Sequence, residues 1–364
     1  MRVLVFHPTL APYRVDFFNR LAEKVDLTVV FLMENLENQK FDQDALRARC
    51  RFHFCYLTRG FSLKGRLFRF GGTRIVRDIR PDVVIGFEFA PLTGWLCLLH
   101  RFARWRLWTM CDDNERMVAQ CRGLRRLMRT FVLRRVDGVI VTGEAVAAAF
   151  RAQGFDRPRF AMLPIVHDTD VLRRDAEAVF LAGAAWRRAF VPKDWTRLLL
   201  FVGRLAPEKN LSWLLSQMVS VPPGTGLVLV GDGPERVRLE RQVEASGLGG
   251  RVRFAGRFEG RMVSSAMASA DVLVLPSTFE AFGAVVAEGL AWGTPVVVSD
   301  CVGAKTLVTA ANGRVFALNG AAFAEALRTV PPPSADRRSL LDIDLRKVVE
   351  KLVAQMTWHL EKNA

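Results

Sequence analysis

Six cysteines stand in this chain of 364 residues, and no two of them form a CxxC pair. Nor do they fall into a metal-ligand spacing with the five histidines. A zinc framework and a disulfide scaffold are therefore excluded, and free thiols in a reducing compartment are expected. Long apolar runs are missing too. The longest, near residues 89 to 99, follows Glu88 and contains Pro91, well short of the roughly 20 residues that a membrane span needs. No internal repeat and no low-complexity tract occurs, which excludes solenoid and fibrous designs. The opening MRVLVFHP enters a strand at once and leaves no room for a signal peptide, so a cytoplasmic location is expected. Acidic residues are scarce beside basic ones, 37 Asp+Glu against 52 Lys+Arg, for a net charge of +15. Residues 1–180 hold 30 basic and 20 acidic side chains. The excess sits mainly there and suggests an anionic partner: a membrane face, a lipid phosphate or nucleic acid.

What is present is the balance of a globular protein, half hydrophobic and a quarter charged. The length suits two domains of roughly 150 to 180 residues. Short β-branched runs alternate with longer helical patterns, which reads as parallel α/β architecture. Strands are expected at 3–6, 27–32, 82–87, 106–110, 138–142 and 159–163, then at 198–202, 226–230, 252–256, 271–276 and 295–299. Several of these runs are apolar on both faces, as in sheets covered by helices on both sides. Residues 169–196 read as a connector between an N-terminal domain (1–168) and a C-terminal one (169–338). PPPS at 331–334 stops the last helix of the second domain. An amphipathic segment near 340–360, within a tail of residues 339–364, makes a final helix that packs back on the first domain. Two doubly wound, Rossmann-like domains are thus expected to face each other across a cleft. In such sheets ligands bind beyond the carboxyl ends of the strands.

The chemistry-bearing residues do follow strands. GRLAPEKN (203–210) offers Gly203 for a tight turn, with Arg204 and Lys209 as two cations before a helix. Such a pair suits a diphosphate, although strand-end cations are often only solvated. GDGPERVRLE (231–240) lacks the third glycine of a dinucleotide fingerprint, since Arg236 stands there, and it lacks the Walker lysine pattern. It reads as a tight turn that lets backbone approach a ligand, and a dehydrogenase is the weakest reading. In TFEAFGAVVAEG (278–289), Glu280 falls in a loop, while Glu288 falls about a turn and a half into a helix that starts at Gly283. The rise of an α-helix displaces Glu288 roughly 7 to 8 Å from Gly283. Between the acids the N–H groups near Phe282, Gly283 and Ala284 are open to an anion. An acid at each end of an anion-binding helix start describes a ligand with hydroxyls at both ends and phosphate between, a nucleotide sugar. The plainer alternative is an exposed loop acid and a paired core acid.

These segments, together with VRFAGRF, ADVLVLPSTFEAFGAVVAEGLAWGTPVVVSDCVGAKTLV and NGRVF, stand in the order seen in retaining glycosyltransferases of the GT-B fold. Over residues 198 to 320 the chain resembles glycosyltransferase family 4, or group 1, with its Glu-x7-Glu signature at Glu280 and Glu288. The likeness is looser before that. It implies that Arg204 and Lys209 hold the donor diphosphate and, with Glu280, act at the reacting centre. Glu280 would bind sugar hydroxyls, and backbone at Phe282 to Ala284 would touch sugar and phosphate. Glu288 would hold the ribose, with Arg257 and Phe258 by the base. No cofactor and no metal are implied, because cations and a helix start neutralise the leaving diphosphate.

The first domain departs from the family pattern. In place of a glycine-rich loop it has HPTLAPYRVDFF (7–18), where Arg14 could meet acceptor or donor phosphate and His7 reads as a turn residue. CDDNER follows the strand near 106–110, where many members have a histidine. Asp112 and Asp113 are the acceptor-binding candidates there, and Asp113 also a catalytic one. His53, His100, His167 and His359 read as structural or solvated. On a helix over 121–135, Arg122, Arg125, Arg126 and Arg129 share one side. That side is either a solvated face or one that settles on anionic lipid, which would place the protein peripherally at the inner face of the membrane. No nucleic-acid motif appears. The expected function is a metal-independent, retaining transfer of a sugar from a nucleotide diphosphate donor to a lipid-linked or cell-surface glycan precursor. A GT-B nucleotide-sugar epimerase and a non-catalytic, membrane-associated GT-B paralogue are the rival readings.

Overall fold

The structure, a computed structural model, describes residues 1–35, 41–63 and 66–357. The chain divides into two compact units, Met1–Asp168 with Asp344–Ala364, and Thr169–Ile343.

Unit 1 runs β1 (Arg2–His7), α1 (Pro12–Ala22), β2 (Asp26–Phe31), α2 (Gln43–Ala48), β3 (His53–Tyr56), then a hairpin of β4 (Gly60–Leu63) and β5 (Arg66–Arg69). It continues with α3 (Gly72–Ile79), β6 (Val83–Phe87), α4 (Pro91–His100), β7 (Arg106–Cys111), α5 (Glu115–Gln120) and α6 (Gly123–Leu133). Then come β8 (Gly138–Val141), α7 (Glu144–Arg151) and β9 (Arg159–Met162). Seven strands form one sheet in the order β3-β2-β1-β6-β7-β8-β9, every neighbouring pair parallel. Val3, Leu4 and Val5 are all fully buried. Adjacent strand residues point to opposite faces, so such a strand needs helices on both sides of its sheet. Local chemistry sets the helix starts. Pro12 opens α1 at a position where its missing N–H costs nothing, and the Asn114 side chain caps α5 by accepting from the Met117 N–H at 2.9 Å.

Unit 2 begins with α8 (Thr169–Leu172) and α9 (Ala176–Phe190), followed by β10 (Arg197–Val202), α10 (Leu211–Met218), β11 (Thr225–Val230), α11 (Arg236–Ala245) and β12 (Val252–Gly256). It continues with α12 (Arg261–Ser269), β13 (Val272–Leu275), α13 (Ala284–Ala291), β14 (Val296–Ser299), β15 (Gly313–Phe316) and α14 (Gly320–Thr329). The sheet order is β12-β11-β10-β13-β14-β15, again all parallel. The segment read as a connector is mostly α9, which lies along α12; Arg187 of α9 pairs with Asp271 at 3.2 Å. The tail returns to unit 1 as α15 (Leu345–Thr357), buries Val349 and Leu352, and lies against α1, where Lys24 meets Glu350 at 2.7 Å. The end of the expected tail helix, His359 included, lies outside the described residues. Among the described residues no helix is long and apolar enough to cross a membrane.

Candidate functional site

The carboxyl ends of the strands carry a cluster of charged groups in each unit. In unit 2, β10 and β13 are neighbours in the sheet, so the loops that follow them emerge side by side. The Thr278 N–H donates to the Glu208 carbonyl at 2.9 Å, and Asn210 Nδ2 donates to the Pro276 carbonyl at 3.2 Å. Tied in this way, the two loops bring Lys209 Nζ onto the Glu280 carboxylate, and both side chains are largely buried. Gly283 has φ +92°, and a Cβ there would sit 3.1 Å from Glu280 Cγ, so glycine both makes the turn and leaves room for the acid. The chain then enters α13. Among the described residues, the N–H groups of Gly283 and Ala284 donate to no backbone carbonyl. Phe282 is buried and its carbonyl accepts from the Ala304 N–H at 2.6 Å, which pins the turn from below. Glu288 follows on α13, half-buried. Arg204, just past Gly203, is exposed. Arg257 is exposed and pairs with Glu259, and Phe258 packs edge-on to Phe190 with ring centroids 5.8 Å apart. Both follow β12, at the edge of the sheet and three strands from β13.

The glycines of GDGPERVRLE serve the protein itself. A Cβ on Gly231 would stand 1.8 Å from the Gly203 carbonyl oxygen, and one on Gly233 would stand 2.4 Å from that of Leu205. Their absence of side chain lets the loops after β10 and β11 touch.

In unit 1 the ends of β1, β6 and β7 assemble a second cluster. Arg14 is buried, and its Nη2 lies 2.6 and 2.7 Å from the two Asp112 oxygens. Asp113 is only 1% exposed and is held by Arg129 at 2.6 Å and Arg125 at 3.1 Å. Arg129 is equally buried, and its guanidinium lies over the rings of Phe89 and Phe150. Burial raises the Asp113 pKa, and the two arginines oppose that rise. The structure bears on three sequence expectations here. Arg14 meets Asp112 through Nη2, and its buried Nε has no hydrogen-bond partner among the described residues. Asp113 is enclosed by the guanidinium groups of Arg125 and Arg129. The expected arginine face divides, because Arg125 and Arg129 turn to Asp113 while Arg122 and Arg126 stay exposed. The two aspartates are each matched by guanidinium and do not converge on one point. No group of three or more His, Cys, Asp or Glu among the described residues is placed to hold a metal ion. His7 is buried beside Phe87, its Nδ1 is 2.8 Å from the Thr9 carbonyl, and burial with Arg14 nearby lowers its pKa to about 3. It is a neutral turn residue.

Glu88, which the sequence reading passed over, joins this cluster. It is the first residue after β6 and has φ +47°, a left-handed conformation uncommon for glutamate. Its backbone is fixed from both sides: its N–H donates to the Met110 carbonyl at 2.6 Å, and its carbonyl accepts from Thr109 Oγ1 at 2.7 Å. Burial, then the charges of Asp113 and Asp112, raise its pKa to about 7. A carboxyl poised there can donate or accept a hydrogen bond at neutral pH.

The comparisons with known proteins bear on both units. A family profile described as "Glycosyl transferases group 1" matches residues 196–330. One described as "Glycosyl transferase 4-like domain" matches residues 10–165. An uncharacterized glycosyltransferase of Methanocaldococcus jannaschii is 36% identical over 125 residues, 34% of this chain and 32% of that protein. A GDP-mannose-dependent alpha-(1-6)-phosphatidylinositol dimannoside mannosyltransferase of Mycobacterium tuberculosis is 37% identical over 161 residues, 42% of this chain and 41% of the relative. The chain thus spans about a third to two fifths of the length of these relatives. Among solved structures, Anabaena HepE in complex with UDP superposes with a TM-score of 0.69 at 16% identity, covering 100% of this chain and 99% of that one. At that identity the likeness is one of fold.

Proposed function

The chain belongs to the family 4, group 1, glycosyltransferases and has their GT-B fold, and we propose that it moves a sugar from a nucleotide diphosphate donor to an acceptor hydroxyl with retention of configuration. The observation that carries this reading is the Lys209–Glu280 pair set beside the open N–H groups that start α13. In this reading Glu280 takes sugar hydroxyls and Lys209 swings its charge between Glu280 and the donor phosphate. Glu288 takes the ribose hydroxyls. As the bond from the anomeric carbon to the phosphate oxygen breaks, negative charge gathers on the leaving diphosphate. Lys209, Arg204 and the α13 start neutralise it in place, which is the electrostatic work a divalent ion does elsewhere. The acceptor oxygen attacks on the face the diphosphate leaves, and a phosphate oxygen takes its proton. No metal is required for that sequence.

The acceptor role falls to unit 1, where Glu88 offers a carboxyl beside Asp112. A lipid-linked or cell-surface glycan precursor is the acceptor class proposed. It is supported by the relative named for a phosphatidylinositol dimannoside and by the basic excess of the first half, and it places the protein at the inner face of the membrane. The test is a thermal-shift screen of the purified chain against UDP-, GDP-, ADP- and dTDP-sugars, then turnover with the best donor in EDTA. A donor at 100 times its Kd should add about 2.7 kcal/mol of stability. No shift with any donor would sink the donor reading, and loss of turnover in chelator, restored by Mg²⁺ or Mn²⁺, would sink metal independence.

A further inference from the structure

Unit 1 holds a surface that combines exposed apolar side chains with basic ones. The sequence has no acidic residue between Asp44 and Asp78, between Glu88 and Asp112, or between Glu115 and Asp137, and nineteen basic ones in those three stretches. The stretches contain the β4–β5 hairpin, α4 and α6. Every exposed large apolar side chain in the described part of unit 1 lies on or beside these same elements. The hairpin shows Phe61 and Leu63, with Phe70 just after it. Along α4 and the turn after it, Trp95, Leu98 and Phe102 recur at helical spacing, Phe102 being 89% exposed. On α6, Leu124 and Leu127 are 61% and 68% exposed.

The three elements adjoin. β5 packs beside α4, and α4 packs beside α6. At the second seam a Cβ on Gly94 would lie 3.1 Å from Met128 Cε. Leu98 lies one turn after Gly94 and Leu124 one turn before Met128, so the apolar stripes border that seam. Arg101, Arg104, Arg122 and Arg126 are exposed around them, and none has an acidic partner among the described residues. Arg125 and Arg129, turned to Asp113, are not part of this surface.

We propose that this face docks unit 1 on a bilayer rich in anionic phospholipid. The apolar stripes enter the boundary between headgroups and acyl chains, and the four arginines hold lipid phosphates. A second copy of the chain fits poorly, because two such cationic faces repel. Nucleic acid would use the charge but not the protruding leucines. The proposal deepens the reading of a lipid-borne acceptor, yet it stands or falls without any turnover.

The experiment is co-sedimentation of the full chain with vesicles of phosphatidylglycerol and phosphatidylcholine, and with vesicles of phosphatidylcholine alone. Binding is expected only where phosphatidylglycerol is present, and it should weaken as salt shortens the reach of charge. An Arg101→Gln/Arg104→Gln/Arg122→Gln/Arg126→Gln variant should lose the salt-dependent part. A Phe102→Ser/Leu124→Ser/Leu127→Ser variant should bind at least about tenfold more weakly at every salt concentration. All of these side chains are exposed, and the stabilisation of each variant by a donor nucleotide shows that unit 2 still works. If the wild type ignores phosphatidylglycerol vesicles at low salt, or both variants bind as it does, the proposal is overturned. Binding of RNA or of an acidic protein without vesicle binding overturns it as well. Each of these results leaves the donor screen to speak for itself.

Discussion

Replacing Glu88 by glutamine should stabilise unit 1 at neutral and alkaline pH and change little in acid. The carboxyl ionises at about 7 in the folded protein against an ordinary 4.5, because burial and the neighbouring Asp113 and Asp112 oppose its charge. Below about pH 4.5 both the folded and the unfolded chain carry the proton, and the group contributes nothing. As pH rises, the unfolded chain releases the proton first, so unfolding is favoured over that interval. Each unit of difference is worth about 1.4 kcal/mol, and the deficit reaches roughly 3 kcal/mol above pH 7. Glutamine has the same shape and no proton to hold, so Glu88→Gln should recover that amount. Urea unfolding of both proteins at pH 4.5 and pH 8 reads it directly. The variant-minus-wild-type difference should grow by roughly 3 kcal/mol between the two, whatever the other groups do in both. A flat difference would refute the reasoning, because it would mean that Arg125 or Arg129 already pairs with an ionised Glu88.

Two further substitutions test the two clusters separately. Arg129→Met removes the main partner of a buried carboxylate and should cost unit 1 about 3 to 5 kcal/mol in urea unfolding; a smaller loss would show that Arg125 alone satisfies Asp113. Glu288→Ala should weaken binding of the donor nucleotide about 10- to 150-fold by titration calorimetry, the worth of charge-assisted hydrogen bonds to ribose. Unchanged affinity in a folded variant would remove Glu288 from the site.

Strands with two buried faces were legible because VLVF and DVLVL are short, rich in valine and closely followed by Pro8 and Pro276. The edge strand β3, HFCY, was not, since its residues alternate between exposed and half-buried, and every residue of β4 is exposed. Neither leaves an apolar run to see. The sequence of helix α9 reads as a connector because its buried positions Val179, Gly183 and Trp186 include a glycine where a large apolar residue would mark the stripe. That glycine is there for contact: a Cβ would stand 2.7 Å from Ser269 Oγ of α12.

The two clusters differ in legibility for one physical reason, the distance along the chain over which their charges are matched. Glu280, Gly283 and Glu288 belong to one strand–loop–helix passage, so spacing alone could place them, and Lys209 needed only the neighbouring strand. Arg14 finds its counter-charge 98 residues away in Asp112. The four arginines near α6 look alike by periodicity. What sorts them is Asp113 beneath the helix, which takes Arg129 into the core and holds Arg125 at its edge. A charged face read from periodicity alone gives the side of the helix. The acid that the fold brings under it decides which charges stay available to a partner, and here it leaves Arg122 and Arg126, next to Leu124 and Leu127.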